Sequence, residues 1–141
     1  PRDLTLPGSP SNHSNHPSVL VIEDEEGIRF GIRAACLQLN LPVELTATGE
    51  AGIQLFRDRL RSGHPFDITI LDINLRGNLN GIEVFHEIRR LIPDATIVAT
   101  SGQYSEPEIK AYESLGFSGF LPKPFSIEEF KDVLRRLAVP A

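Results

Sequence analysis

Residues 66–75 read "FDITILDINL", and this stretch decides how the chain folds. Its Ile68–Leu71 segment is apolar, rich in β-branched residues, and shows no helical spacing of apolar positions. A strand this apolar is one buried on both faces, as in a parallel sheet with helices packed on either side. The run then stops at an acid, Asp72.

Working outward, the chain alternates between the two kinds of element. Downstream, Ile82, Phe85, Ile88 and Ile92 mark a helix, and "TIVATS" (96–101) a strand. A polar helix follows around Glu106–Ser114, with only Ile109, Tyr112 and Leu115 to dock it. "FSGFL" (117–121) is the last strand, and Ile127, Phe130, Leu134 and Leu137 lie on a closing amphipathic helix. Upstream, "VLVI" (19–22) is a second continuous apolar strand. It precedes a helix over 26–39 with Ile28, Ile32, Ala35, Cys36 and Leu39 on one stripe. "VELTA" (43–47) and a helix carrying Ile53, Phe56 and Leu60 complete the set. Five βα units predict an α/β fold, a doubly wound, five-stranded parallel sheet with five helices.

Residues 1–17 are rich in Pro, Ser, Asn and Gly and read as a disordered arm or linker, residues 18–138 as one domain, and 139–141 as a tail. The net charge of −5 gives no footprint for nucleic acid or an anionic membrane. No apolar run is long enough to span a bilayer, and the lone Cys36 suits a reducing cytoplasm, so the expected location is cytoplasmic.

Polar residues stand at the ends of four strands. "VLVI" runs into Glu23 and Asp24, "FDITIL" into Asp72, "TIVAT" into Ser101, and "GFL" into "PKP", which clamps Lys123 between Pro122 and Pro124. Open α/β sheets place their sites just beyond the carboxyl ends of the strands, so these groups converge on one crevice. Three carboxylates held together repel one another, and a hard divalent cation such as Mg²⁺ relieves that repulsion. A carboxylate there can act as a nucleophile toward phosphorus, with the cation, Lys123 and the Ser101 hydroxyl supplying charge and a hydrogen bond. Pro122 and Pro124 restrict the backbone on both sides of Lys123, and Pro124 is a candidate for a cis peptide bond.

At these residues the chain resembles the response-regulator receiver domain: "VLVIEDE", "ITILDINL", "IVATSG" and "GFLPKPFS" match its motifs over about residues 18–138. The resemblance implies strand order 2-1-3-4-5, Asp72 as phospho-acceptor, and Lys123 and Ser101 in support of the transfer. It further implies Asp24 as a direct Mg²⁺ ligand beside Glu23, the Asn74 carbonyl on the metal, and Phe120 as switch aromatic. The neutral amides of Asn74 and Gln103, each two residues beyond Asp72 or Ser101, are expected to tune dephosphorylation. The implied partners are a histidine kinase or histidine phosphotransfer protein, and a downstream protein on the face of the fourth helix, fifth strand and fifth helix. Such a domain catalyses only its own phosphorylation and dephosphorylation. Two contexts are open: a stand-alone regulator, or a receiver from the C-terminal end of a hybrid histidine kinase, toward which "LPKPFS" and "TSG" point.

The chain departs from the family pattern at three points. Glu23 replaces the commoner aspartate, Arg76 stands where proline is usual, and the loop before Gly81 is one residue longer. The longer loop favours Ser101 over Thr100 as the switch hydroxyl, because Thr100 matches only an ungapped count, and strand alternation also turns Thr100 to the other face. In the metal-free chain, neutralising Asp24 is expected to relieve repulsion and stabilise.

Residues 72–83 nearly match a calcium loop, but Arg76 replaces an oxygen ligand and a strand precedes the loop. A haloacid-dehalogenase-type phosphatase would need an acid or base where Asn74 stands. An FMN carrier would have to seat phosphate against Glu23–Glu26. The remaining alternative is a degenerate receiver acting as a phosphorylation-independent protein-binding module.

Overall fold

A computed structural model describes residues 17–138. The expected arm, apart from Pro17, and the expected tail lie outside the described residues. The strands are β1 (Val19–Ile22), β2 (Val43–Thr46), β3 (Ile68–Asp72), β4 (Ile97–Ser101) and β5 (Gly119–Pro122). The helices are α1 (Glu26–Gln38), α2 (Gly49–Arg61), α3 (Gly81–Leu91), α4 (Glu106–Leu115) and α5 (Ile127–Ala138). All strand pairs are parallel, in the order β2-β1-β3-β4-β5. This is the five-stranded doubly wound sheet that the alternating pattern predicts, in the order the resemblance implies.

Strand alternation sorts the core into two layers. Leu20, Ile22, Leu71, Ile97 and Ala99 face one way, against Ile53 and Phe56 of α2 and Val84, Phe85 and Ile88 of α3. Val19, Val21, Ile68, Ile70, Val98 and Leu121 face the other way, against Ile32 and Cys36 of α1 and Phe130, Val133 and Leu134 of α5. Each aliphatic or aromatic side chain fully removed from water contributes about 1.5–3 kcal/mol. Burial also pushes the Cys36 thiol up to about 11, so it behaves as a small apolar residue.

Two strands lie further along the chain than their apolar runs suggest. Phe66 sits outside β3 under the Arg59 guanidinium, 4.1 Å from its ring centre, and the Asp67 carboxylate accepts the Ser18 N–H at 2.8 Å. The Asp72 backbone, in contrast, is within the sheet, opposite Thr100. Phe117 likewise precedes β5 because its ring stacks on Phe85 at 4.1 Å.

The start of α3 fixes the end of β3. Asn80 and Glu83 form a reciprocal capping box, each side chain accepting the other's backbone N–H at 2.9 Å. The helix then comes so close that a Cβ on Gly81 would lie 2.5 Å from the Asp72 carbonyl oxygen and 2.6 Å from the Ile73 Cα. Both are backbone atoms and cannot turn aside. Gly81→Ala is therefore expected to destabilise by at least about 2 kcal/mol and to shift Asp72, as measured by chemical denaturation and the Asp72 and Ile73 amide shifts.

Helix α4 is the least anchored. It begins with a Ser105 cap and Pro107 in its first turn, and ends at Gly116 in the left-handed region at φ 113°. None of its residues is buried.

Candidate functional site

The crevice at the carboxyl end of the sheet assembles from adjacent strand ends. β1 delivers Glu23, whose N–H bonds the Thr46 carbonyl at 3.0 Å. β3 delivers Asp72 directly. β4 and β5 stay registered beyond the sheet, because the Lys123 N–H donates to the Ser101 carbonyl at 2.9 Å. The Lys123–Pro124 peptide bond is cis.

Lys123 sits between two carboxylates. Its Nζ lies 2.9 Å from Glu23 Oε1 and 3.4 Å from Asp72 Oδ2, and both acids are 2% exposed. Burial favours the neutral amine, but the hydrogen bond to Glu23 and the charge of Asp72 outweigh it, so the Lys123 pKa is raised. The Glu23 carboxyl is pushed up to about 7, first by burial and then by the Asp72 charge; Lys123 and the Glu25 N–H offset only part of this. The site thus contains a buried acid short of positive charge.

The polar groups on the other side form a second network. The Asn74 N–H donates to Asp72 Oδ1 at 2.9 Å, and Asn74 Nδ2 donates to Ser101 Oγ at 3.0 Å. The Ser101 hydroxyl in turn donates to the Gln103 carbonyl at 2.7 Å. Ser101 and Phe120 lie on the same face of the sheet, since Ala99 is the register partner of Phe120 and Ser101 follows Ala99 by two. Phe120 is half-buried, with its ring 5.8 Å from Tyr112 and 5.4 Å from Tyr104. Thr100 is turned to the opposite face.

Asp24 stands apart from Lys123, at the lip. Its Oδ2 accepts two hydrogen bonds from Arg76, from the backbone N–H at 3.2 Å and from Nε at 2.9 Å. Partial burial works to raise the Asp24 carboxyl, but the Arg76 contacts prevail and hold it below its ordinary value. This corrects the expectation that neutralising Asp24 stabilises the metal-free chain. The repulsion is carried by Glu23, and Asp24 is a satisfied ion.

Ligand oxygens of Glu23, Asp24 and Glu25 all come within 4.8 Å of one another. A hard divalent cation suits such a set: all donors are carboxylate oxygens, and one of them, Glu23, is buried, so that burial and then the Asp72 charge hold back its ionisation. The sequence marks Glu25 only as a charge that repels phosphate. The 52-residue separation of Arg76 and Asp24 hides their pairing. Arg29, whose Nη1 donates to the Glu23 carbonyl at 2.8 Å, has no sequence signal.

Residues 19–135 match the response regulator receiver domain family. The response regulator MprA of Mycolicibacterium vanbaalenii is 29% identical over 119 residues, covering 84% of this chain and 49% of that protein. The sensor kinase CckA of Brucella abortus is 25% identical over 124 residues, covering 88% of this chain but 13% of that protein. Among solved structures, the non-phosphorylated HemR receiver domain of Leptospira biflexa superposes with a TM-score of 0.77 at 27% identity, over 89% of this chain and 96% of that one. The chain belongs to the response regulator receiver domain family and to two-component signalling. It spans about half the length of the response regulator it matches, and much less of the sensor kinase. No helix among the described residues is long and apolar enough to cross a membrane.

Proposed function

We propose that this receiver domain accepts a phosphoryl group on Asp72 from a histidine kinase or histidine phosphotransfer protein, and that the modification reshapes the α4–β5–α5 face. The observation that carries the reading is Lys123, held in the interior within 3.4 Å of Asp72 at the end of the central strand. Asp72 is the nucleophile, its Oδ1 oriented by the Asn74 N–H. Lys123 neutralises charge on the incoming phosphoryl oxygens, and Ser101 donates a hydrogen bond to one of them. Glu23, Asp24 and the Asn74 carbonyl, with Asp72, would hold Mg²⁺, which supplies further positive charge at the phosphoryl oxygens when bound. Asn74 and Gln103 orient the water that removes the phosphoryl group, and neither can take its proton. The domain acts only on itself. The intact set of Asp72, Ser101 and Lys123 favours this over a phosphorylation-independent binding module.

The test is to incubate the chain with a small phosphodonor and Mg²⁺, trap the acyl phosphate by reduction, and map the site by mass spectrometry. Asp72 should carry the modification. Absence of any trapped product would leave the binding-module reading.

The output depends on Ser101. Its hydroxyl donates to the Gln103 carbonyl. Moving toward a phosphoryl group on Asp72 breaks that bond and frees space beside β4 for the Phe120 ring. Helix α4, with no buried residue, yields at small free-energy cost. Ser101→Ala is expected to be phosphorylated still, while α4 amide exchange stops responding to beryllofluoride. An α4 response as large as the parent's would place the coupling elsewhere.

A further inference from the structure

We propose that Arg76 is a built-in competitor for the divalent cation: its guanidinium holds Asp24 in the metal-free chain, and metal binding at Asp24 opens that pair. The proposal rests on the reading above that Asp24 is a metal ligand.

The two Arg76 donors converge on one oxygen, Asp24 Oδ2, at 2.9 and 3.2 Å. A cation ligated by Asp24 draws on the same carboxylate electrons and lies near the same guanidinium, so the two positive partners oppose each other. The arrangement is asymmetric in a way that permits exchange. Arg76 is 80% exposed, whereas Asp24 is 14% exposed. The arginine can swing into water at little cost while the carboxylate stays in place. Gly77, at φ +111°, takes a left-handed turn immediately after Arg76. Charge balance favours a replaceable partner. Four carboxylates (Glu23, Asp24, Glu25 and Asp72) share two ion-paired cations, Lys123 and Arg76, and a dication supplies more charge than the guanidinium it displaces. Arg76 thus sets a threshold, so that low Mg²⁺ leaves the crevice latched by its own side chain. A proline at this position could provide neither donor.

The experiment is a Mg²⁺ titration followed by amide chemical shifts in the full chain, without a phosphodonor. Arg76→Ala and Arg76→Gln are each expected to bind Mg²⁺ about fivefold more tightly, the upper range for an exposed ion pair. The gain is limited to this range because the backbone N–H of residue 76 remains on Asp24. Arg76→Lys, which keeps the charge, should recover most of the weaker parental affinity. Asp24→Asn should weaken binding at least tenfold and abolish the difference that Arg76→Ala makes, while Glu23→Gln weakens it less. If neither Arg76→Ala nor Arg76→Gln binds more tightly while Asp24→Asn still loses affinity, the competition is overturned and the metal assignment stands. If Asp24→Asn binds as well as the parent, the metal assignment fails and the competition with it.

Discussion

Asp72→Asn is expected to take no phosphoryl group from a small phosphodonor under conditions that fully label the parent chain. The amide oxygen can still accept the Asn74 N–H that now reaches Asp72 Oδ1 at 2.9 Å, so the turn after β3 survives. What disappears is the anionic nucleophile, and an amide cannot form the acyl phosphate. The fold should be retained or slightly stabilised, because one of two buried carboxylates around Lys123 is gone. Intact-mass measurement and a denaturation curve on the same sample check both halves. Stoichiometric phosphate on another residue of the variant would remove Asp72 from its assigned role.

The metal-free domain should lose stability as pH rises through the range in which Glu23 ionises. Its carboxyl moves from an ordinary 4.5 to about 7 on folding. Between those values the native chain keeps a proton that the unfolded chain releases, so stability falls as pH rises across the window. Below it both states are protonated and the penalty is absent; above it the penalty levels off at about 3 kcal/mol. Glu23→Gln should flatten this slope, and at pH above the window it should be the more stable chain, by up to about 3 kcal/mol. Asp24 has the opposite sign. Its carboxyl is lowered, so the stability it contributes disappears as pH falls through its folded value. Urea denaturation across pH in the presence of a chelator separates the two. An equal slope in the parent and Glu23→Gln would assign the penalty to other groups.

Most of the fold was legible because it rests on periodicities that burial enforces. The runs "VLVI" and "ITIL" are buried throughout, and the stripe of Ile32, Cys36 and their neighbours covers one face of the sheet. The sparse apolar positions of the fourth helix corresponded to a helix with no buried residue. Strand ends were less legible where a side chain had a better partner outside the sheet, as Phe66 has under Arg59 and Phe117 against Phe85. In the crevice, chain order alone brought Glu23, Asp72, Ser101 and Lys123 to neighbouring strand ends. Which acid Lys123 sits nearer, and what holds Asp24, depend on side-chain reach across the loops. Arg76 was visible in the sequence as a missing proline and as the cation that spoils the calcium-loop match, and its partner becomes apparent once β1 and β3 are adjacent.

The aromatic group around Phe120 has an optical consequence. The chain contains no tryptophan and only two tyrosines, Tyr104 and Tyr112, and both rings lie against Phe120. Its native tyrosine fluorescence therefore originates entirely from the two side chains that border the proposed switch. Tyr104, in the loop after β4, and Tyr112, on α4, would both change surroundings if Phe120 moved inward. The unlabelled protein carries its own reporter of that movement, at the one place where a fluorophore would otherwise have to be engineered in.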